Sequence, residues 1–166
     1  EIGEQAAAEC GGLDRMYVQV GGGAFATCLG AGLADLSPAT RLHAVQVEGC
    51  APLERAWRRA TERGLEPRAV AANWAELMTP WDDPRSAADG ILDDETYDWL
   101  GVFDALHHSG GDPVVASEAE VLRAHELAVA AGFEVSVTGS AGLAGVIASA
   151  IGPHERIGVV MSGVAR

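Results

Sequence analysis

The stretch Tyr17-Val18-Gln19-Val20-Gly21-Gly22-Gly23-Ala24 runs from an apolar strand pattern through three glycines into a small-residue helix pattern. Such a bend suits an anion. Without Cβ atoms in the way, the backbone N–H groups of Gly21, Gly22, Gly23 and Ala24 can converge on one phosphate, and the start of the following helix adds partial positive charge. The pattern is not GxGxxG followed some twenty residues on by an acid, and it lacks the Lys-Ser/Thr pair of a P-loop. Dinucleotide and triphosphate readings therefore weaken, and a single monophosphate fits three glycines better. A plain strand-to-helix turn with close packing accounts for the same residues equally well.

Two further segments carry polar groups at strand ends. Phe133-Glu134-Val135-Ser136-Val137-Thr138-Gly139-Ser140-Ala141-Gly142 reads as another strand, small-residue turn and buried helix; packing alone explains it. The apolar run 157–161 ends at Ser162-Gly163. In open α/β sheets ligands sit outside the carboxyl ends of the strands, where Ser162 would project. Its hydroxyl could bond a heterocyclic nitrogen without forcing that nitrogen to be protonated, although a strand-end serine bonded to nearby backbone is the simpler account of Ser162 by itself.

Weaker candidates have plainer explanations. His107-His108 with Asp112 could bind a metal, but adjacent histidines point apart on a helix, so a surface pair is expected. Asp93, Asp94, Glu95 and Asp98 lack EF-hand spacing and read as a solvated helix start. Cys28, on the helix after the glycines, reads as a packed small thiol. Trp57, Trp74, Trp81 and Trp99 are too scattered for a stacking platform and read as packing residues.

Positioning these groups requires alternating strands and helices on a parallel sheet. Strands are predicted over residues 16–20, 42–47, 114–116, 133–137 and 157–161. Helices are predicted over 1–10, 24–36, 52–63, 68–79 (weakly patterned), 95–108, 118–131 and 141–151. Ser117 and Glu120 form a capping-box pattern, Asp89-Gly90 marks a turn, and 80–94 is the expected surface excursion. Neither an internal repeat nor a low-complexity tract is visible.

Composition narrows the function classes. The chain has 166 residues, 48% of them hydrophobic and 21% charged, enough apolar content for a sizeable core. A net charge of −13 repels nucleic-acid backbones and anionic lipid. No apolar run reaches membrane-spanning length. Cys10, Cys28 and Cys50 form no CxxC pair and suit a reducing, cytoplasmic setting. All eleven basic residues are arginine, so no lysine of this chain can act as a nucleophile.

Taken in order, Gly21-Gly22-Gly23-Ala24, Glu48-Gly49, Ala88-Asp89-Gly90-Ile91, Thr138-Gly139-Ser140-Ala141-Gly142 and Val159-Val160-Met161-Ser162-Gly163 resemble the C-terminal half of a fold-type II pyridoxal-phosphate enzyme. That group includes threonine synthase, threonine dehydratase, serine racemase and the tryptophan synthase β chain, and the resemblance spans essentially the whole chain. It implies a parallel-sheet, three-layer α/β/α lobe over residues 1–166, pyridoxal 5′-phosphate as cofactor, a small amino-acid substrate and a homodimer. It also implies that Gly21, Gly22, Gly23 and Ala24 hold the cofactor phosphate through their amides, and that Ser162 contacts the pyridine nitrogen. A neutral pyridine is a weaker electron sink than a protonated one, consistent with β-elimination or β/γ-replacement.

The departures shape the expectation. The family's Schiff-base lysine lies upstream of the glycine loop and is absent here. An N-terminal segment of the same enzyme is therefore expected to supply the lysine, most of the small lobe and the substrate loop, leaving this segment alone inactive and without catalytic residues of its own. Gln46 stands where some members carry a cation-binding carboxylate, and Ser136-Val137 stand where several carry Glu-Pro, so no metal site is expected. The expected function is part of a threonine synthase-like lyase or synthase. The alternatives are a non-catalytic α/β module that binds a phosphorylated metabolite, and an α/β interaction or structural subunit.

Overall fold

The computed structural model describes Gln5 and residues 12–164. The helix expected over 1–10 lies outside the described residues apart from Gln5, which is helical, and so does Cys10.

The chain enters the sheet at β1 (Arg15–Gln19), crosses by α1 (Ala24–Leu36) to β2 (Arg41–Val47), and continues through α2 (Pro52–Glu62). The expected helix over 68–79 is two short helices, α3 (Pro67–Ala72) and α4 (Trp74–Leu77). They are divided at Asn73, whose side-chain amide donates back to the Ala69 carbonyl at 2.7 Å. A single turn of 3₁₀ helix (Asp89–Ile91) precedes α5 (Trp99–Ser109), then β3 (Pro113–Ala116), α6 (Glu118–Ala130), α7 (Val137–Ala148) and β4 (Ile157–Val159).

Among the described residues the strands form one parallel sheet in the order β3-β2-β1-β4. Alternation along the strands sends side chains to two faces. Met16, Val18, Val20, Leu42 and Ala44 pack with Leu29, Leu33, Leu53, Trp99 and Phe103 of α1, α2 and α5. Tyr17, Val45 and Val47 pack with Val121, Ala124, Ala141 and Ala144 of α6 and α7. The result is a helix–sheet–helix sandwich, as the resemblance implies.

The largest correction concerns 133–137, which form no strand: 133–136 are irregular, and α7 begins at Val137, four residues before the expected start. The period-2 pattern there misleads because Ser136 is a helix cap, its Oγ accepting from the Gly139 amide at 3.0 Å, while Phe133 and Glu134 are exposed. The helix expected from 95 starts only at Trp99; before it, the Asp94 carbonyl accepts from the Trp81 amide at 2.8 Å and Thr96 Oγ1 accepts from Gln46 of β2 at 3.2 Å. Asp93, Asp94 and Glu95 are accordingly half-buried loop residues rather than a solvated helix start. Cys28 is exposed rather than packed.

Other expectations hold. His107 and His108 are exposed, with rings at 88° to each other. The indoles of Trp74 and Trp99 pack at 4.4 Å, and Trp57 packs on Phe103 at 4.5 Å. The capping box is complete: Ser117 Oγ accepts from the Glu120 amide, and Glu120 Oε2 accepts from the Ser117 amide at 2.7 Å. Ser117→Ala should cost about 1 kcal/mol in chemical denaturation.

At the opposite end of the strands from the glycines, Asp112 pairs with buried His43, not with His107 or His108. Its Oδ1 lies 2.6 Å from His43 Nδ1, and the His43 ring stacks on Tyr17 at 4.7 Å. The hydrogen bond from His43 holds the Asp112 carboxyl below the ordinary aspartate value, against an opposing push from burial. A depressed carboxyl stabilises the fold at and above its unfolded value, and that stability is lost as pH falls through the folded one. Asp112→Asn should therefore destabilise the protein near pH 7, and the gap from wild type should close as pH falls below about 4 in urea titrations.

Candidate functional site

The polar groups singled out in the sequence meet at one edge of the sheet because of strand order. The chain moves from β1 to β2 and β3 with α1 and α5 on one face, then returns to β4, on the other side of β1, through α6 and α7 on the opposite face. The direction of winding thus reverses between β1 and β4, and a crevice opens outside their carboxyl ends at such a switch point. Gly21–Gly23 follow β1 there, and Ser162 follows β4. The neighbouring strands stay in register, with Tyr17 opposite Val159 and the Val160 amide donating to the Tyr17 carbonyl at 3.0 Å.

At the bend, Gly23 caps α1 with φ at +97°, a conformation that favours glycine. Its carbonyl accepts from the Thr27 amide at 3.0 Å. The N–H groups of Gly21, Gly22, Gly23 and Ala24 find no acceptor among the described residues, although Gly21 and Gly23 are buried. Buried amides are nearly always paired, so a run of unpaired ones at a helix start suits the oxygens of an anion.

Glycines also close the rim around this crevice. A Cβ on Gly21 would collide with the Asp93 carboxylate and stand 3.1 Å from the Ile91 backbone. The Asp98 amide donates to the Gly22 carbonyl at 2.8 Å, tying the 88–98 loop to the bend. That loop reaches α7 where the Gly90 amide donates to Thr138 Oγ1 at 3.0 Å. A Cβ on Gly139 would overlap the Ser162 carbonyl, and the Ser162 amide donates to the Gly139 carbonyl at 3.1 Å. Ser162 Oγ in turn accepts from Gln19 Nε2, on the strand that leads into the glycines.

The five sequence candidates are therefore brought to one rim. Gln19, Asp93 and Thr138 belong to that rim as well. Gln19 had a detectable signal, being the one strongly polar side chain in the apolar run 16–20; Asp93 had none, since its place depends on the fold of the 88–98 loop.

Electrostatically the cradle is backbone. The Asp93 carboxylate opposes an anion, so the amides and the α1 start must outweigh it. Beside the rim, Cys50 donates from its thiol to the Asp93 carbonyl. Burial, with Asp93 and Asp94 adding to it, pushes that thiol to about 11, so it remains protonated and unreactive at neutral pH. Among the described residues no group of three or more His, Cys, Asp or Glu is placed to hold a metal ion, and no helix is long and apolar enough to cross a membrane. A mostly apolar recess of about 460 Å³ lies elsewhere, between α1 and α5, lined in part by Gly30, Leu33, Leu42 and Ala105.

The unpaired amides suit the oxygens of a single phosphate, and the Ser162 hydroxyl is exposed after the neighbouring strand.

A family model described as pyridoxal-phosphate dependent enzyme matches residues 1–163. A search of curated proteins returns no match. Among solved structures, a threonine deaminase from T.th. superposes with a TM-score of 0.73 at 22% identity, covering 96% of this chain and 52% of that one. Maize serine racemase gives 0.71 at 16% identity, covering 96% and 46%. The processed threonine deaminase isoform 2 of Solanum lycopersicum gives 0.74 at 15%, covering 99% and 44%. The chain thus spans about half the length of these structures.

Proposed function

The chain belongs to the pyridoxal-phosphate-dependent enzyme family, and from that premise we propose that it is the cofactor-gripping part of a threonine synthase-like lyase or synthase. Pyridoxal phosphate, when bound, supplies an electron sink for the amino acid substrate. The chain's own residues do the holding. The amides of Gly21, Gly22, Gly23 and Ala24, with the α1 start behind them, bind the phosphate. The Ser162 hydroxyl donates to the ring nitrogen without transferring its proton. Gly21 and Gly139 keep the rim closed by letting loops touch where a Cβ would intrude.

The observation that carries this reading is the placing of unpaired amides and an exposed hydroxyl after the adjacent strands β1 and β4. With no lysine among the 166 residues, the proposal assigns the lysine, most of the small lobe and the substrate loop to an N-terminal segment of the same enzyme. The substrate is a small amino acid, as the names of the neighbouring threonine deaminases and serine racemase suggest. The reaction is β-elimination or β/γ-replacement, and the enzyme is a cytoplasmic homodimer.

The test is cofactor retention by the full-length polypeptide that contains this chain, followed by absorbance and fluorescence. Expected is binding that Ser162→Ala weakens about tenfold, the cost of a hydrogen bond to a polar ligand. A full-length protein that neither binds nor retains pyridoxal phosphate would contradict the proposal. The absence of lysine from these 166 residues favours a second reading, a non-catalytic module holding a phosphorylated metabolite, only if the native polypeptide is no longer than this chain. Intact mass in cells separates the two: a native polypeptide near 17.1 kDa supports the module, and one two to three times larger supports the enzyme.

A further inference from the structure

The loop beside the glycine bend is acidic, and nothing in the chain balances it. Glu48 follows β2, and Asp89, Asp93, Asp94, Glu95 and Asp98 succeed one another along the 88–98 loop. No arginine occurs between Arg85 and Arg123, and the chain has no lysine. Asp93, Glu95 and Asp98 are half-buried, yet their carboxylates accept no hydrogen bond and join no ion pair among the described residues. Carboxylates elsewhere are paired: Glu155 meets Arg15 and Arg41, and Glu76 meets Arg63. A half-buried charge without a counter-charge costs free energy, and neighbours of the same sign add to that cost. Apolar side chains stand out at the same edge. Tyr97 is 63% exposed, Phe25 51% and Leu100 40%. Phe25 and Leu100 lie in the first turns of α1 and α5, and the Tyr97 ring lies beside Gly22, where a Cβ would stand 3.6 Å from it. Exposed aromatic and apolar groups within a charged rim are the anatomy of a protein–protein interface.

We propose that this edge is a docking surface for a basic polypeptide face, which sets Lys or Arg side chains against Asp93, Glu95 and Asp98 and apolar side chains against Tyr97, Phe25 and Leu100. The occupant is the N-terminal segment of the same polypeptide, so the inference rests on the proposed function. Charge selects that occupant. A second copy docking by the same edge brings the same carboxylates and is repelled, and nucleic acid and anionic lipid are repelled by the same sign of charge. A metal ion finds no cage, since among the described residues no three His, Cys, Asp or Glu are placed to hold one. Length permits the segment: the threonine deaminase and serine racemase structures extend over about as many residues again as this chain covers. A cation brought against Asp93 also offsets the carboxylate that opposes a phosphate in the cradle, so docking and anion binding support each other.

The experiment measures hydrogen-exchange protection of amides 92–98 in the full-length native polypeptide, because the sign of the response separates a docked basic face from bare carboxylates. With the face docked, salt screens an attraction: protection should fall about threefold between low salt and about 0.5 M sodium chloride. Glu95→Gln should lower it about threefold at low salt, and Glu95→Arg, which sets like charges together, about tenfold. Asp35→Arg, at the far end of α1, should change nothing. Without such a face the carboxylates only repel one another, so salt and Glu95→Gln should raise protection, and Glu95→Arg should raise it further by pairing with its neighbours. Protection that rises or stays unchanged under salt and Glu95→Gln overturns the inference. Protection lost on adding a chelator overturns it in favour of a metal ion, and protection that depends on protein concentration overturns it in favour of a second copy. A native polypeptide of only 17.1 kDa overturns instead the proposed function beneath it.

Discussion

Gly139→Ala should destabilise the protein by at least about 3 kcal/mol, because the added methyl has nowhere to go. The atom it would overlap is the Ser162 carbonyl, a backbone atom, so no flexible side chain can yield. Either the β4 exit moves away from α7 or the first turn of α7 opens, and both lose the Ser162 amide bond to Gly139. Chemical denaturation reads the first effect. Cofactor titration reads the second, since whatever remains folded should hold Ser162 out of place. Gly32→Ala is the control: it lies in α1, its added methyl meets nothing within 4 Å, and it should stabilise by about 0.5–1 kcal/mol.

Gln46→Leu should cost about 3 kcal/mol for a different reason, the stranding of several buried partners at once. Gln46 is 1% exposed. Its Nε2 donates to the Val20 carbonyl at 3.4 Å and to Thr96 Oγ1 at 3.2 Å. Its Oε1 accepts from the amides of Leu53 and Glu54, at 2.9 and 3.2 Å, in the first turn of α2. One side chain thus ties the strand before the glycines, the loop around the rim and the start of α2. Gln46→Glu keeps the two acceptor bonds but turns a lone pair on the Val20 carbonyl. Its deficit should be larger near pH 7 than near pH 4, where a protonated acid regains a donor. Equal deficits at both pH values would contradict this use of the amide. Sequence reading placed Gln46 only as a departure from a cation-binding carboxylate; its position explains an amide there without reference to any metal.

Much of the fold was legible. The starts and stops of α1 and α2 were written in Gly23, Ser37-Pro38, Pro52 and Gly64, residues whose backbone preferences act locally. The Ser117–Glu120 box was readable for the same reason. Misreadings occurred where tertiary contacts outvote local pattern. Alternation over 133–137 resembled a strand, yet the Ser136 cap made it a helix entry. Asp93 to Glu95 looked like a charged helix start, yet they serve the loop that seals the bend. The order of motifs indicated which residues share a rim, because parallel strands place their exits on one edge. The bonds that join them, Gln19 to Ser162 and Gly90 to Thr138, depend on side-chain reach across loops and left no trace in spacing.

The central claim is that the triple-glycine bend and Ser162 hold two ends of one molecule. The most direct measurement is backbone amide NMR of the full-length polypeptide titrated separately with inorganic phosphate and with pyridoxal phosphate. Expected is that phosphate moves the amide signals of residues 21–24 and leaves Ser162 in place, while pyridoxal phosphate moves both sets along a single binding curve. If pyridoxal phosphate moves the glycine amides without Ser162, or moves the two sets with different affinities, the two places do not grip one ligand and the claim is wrong.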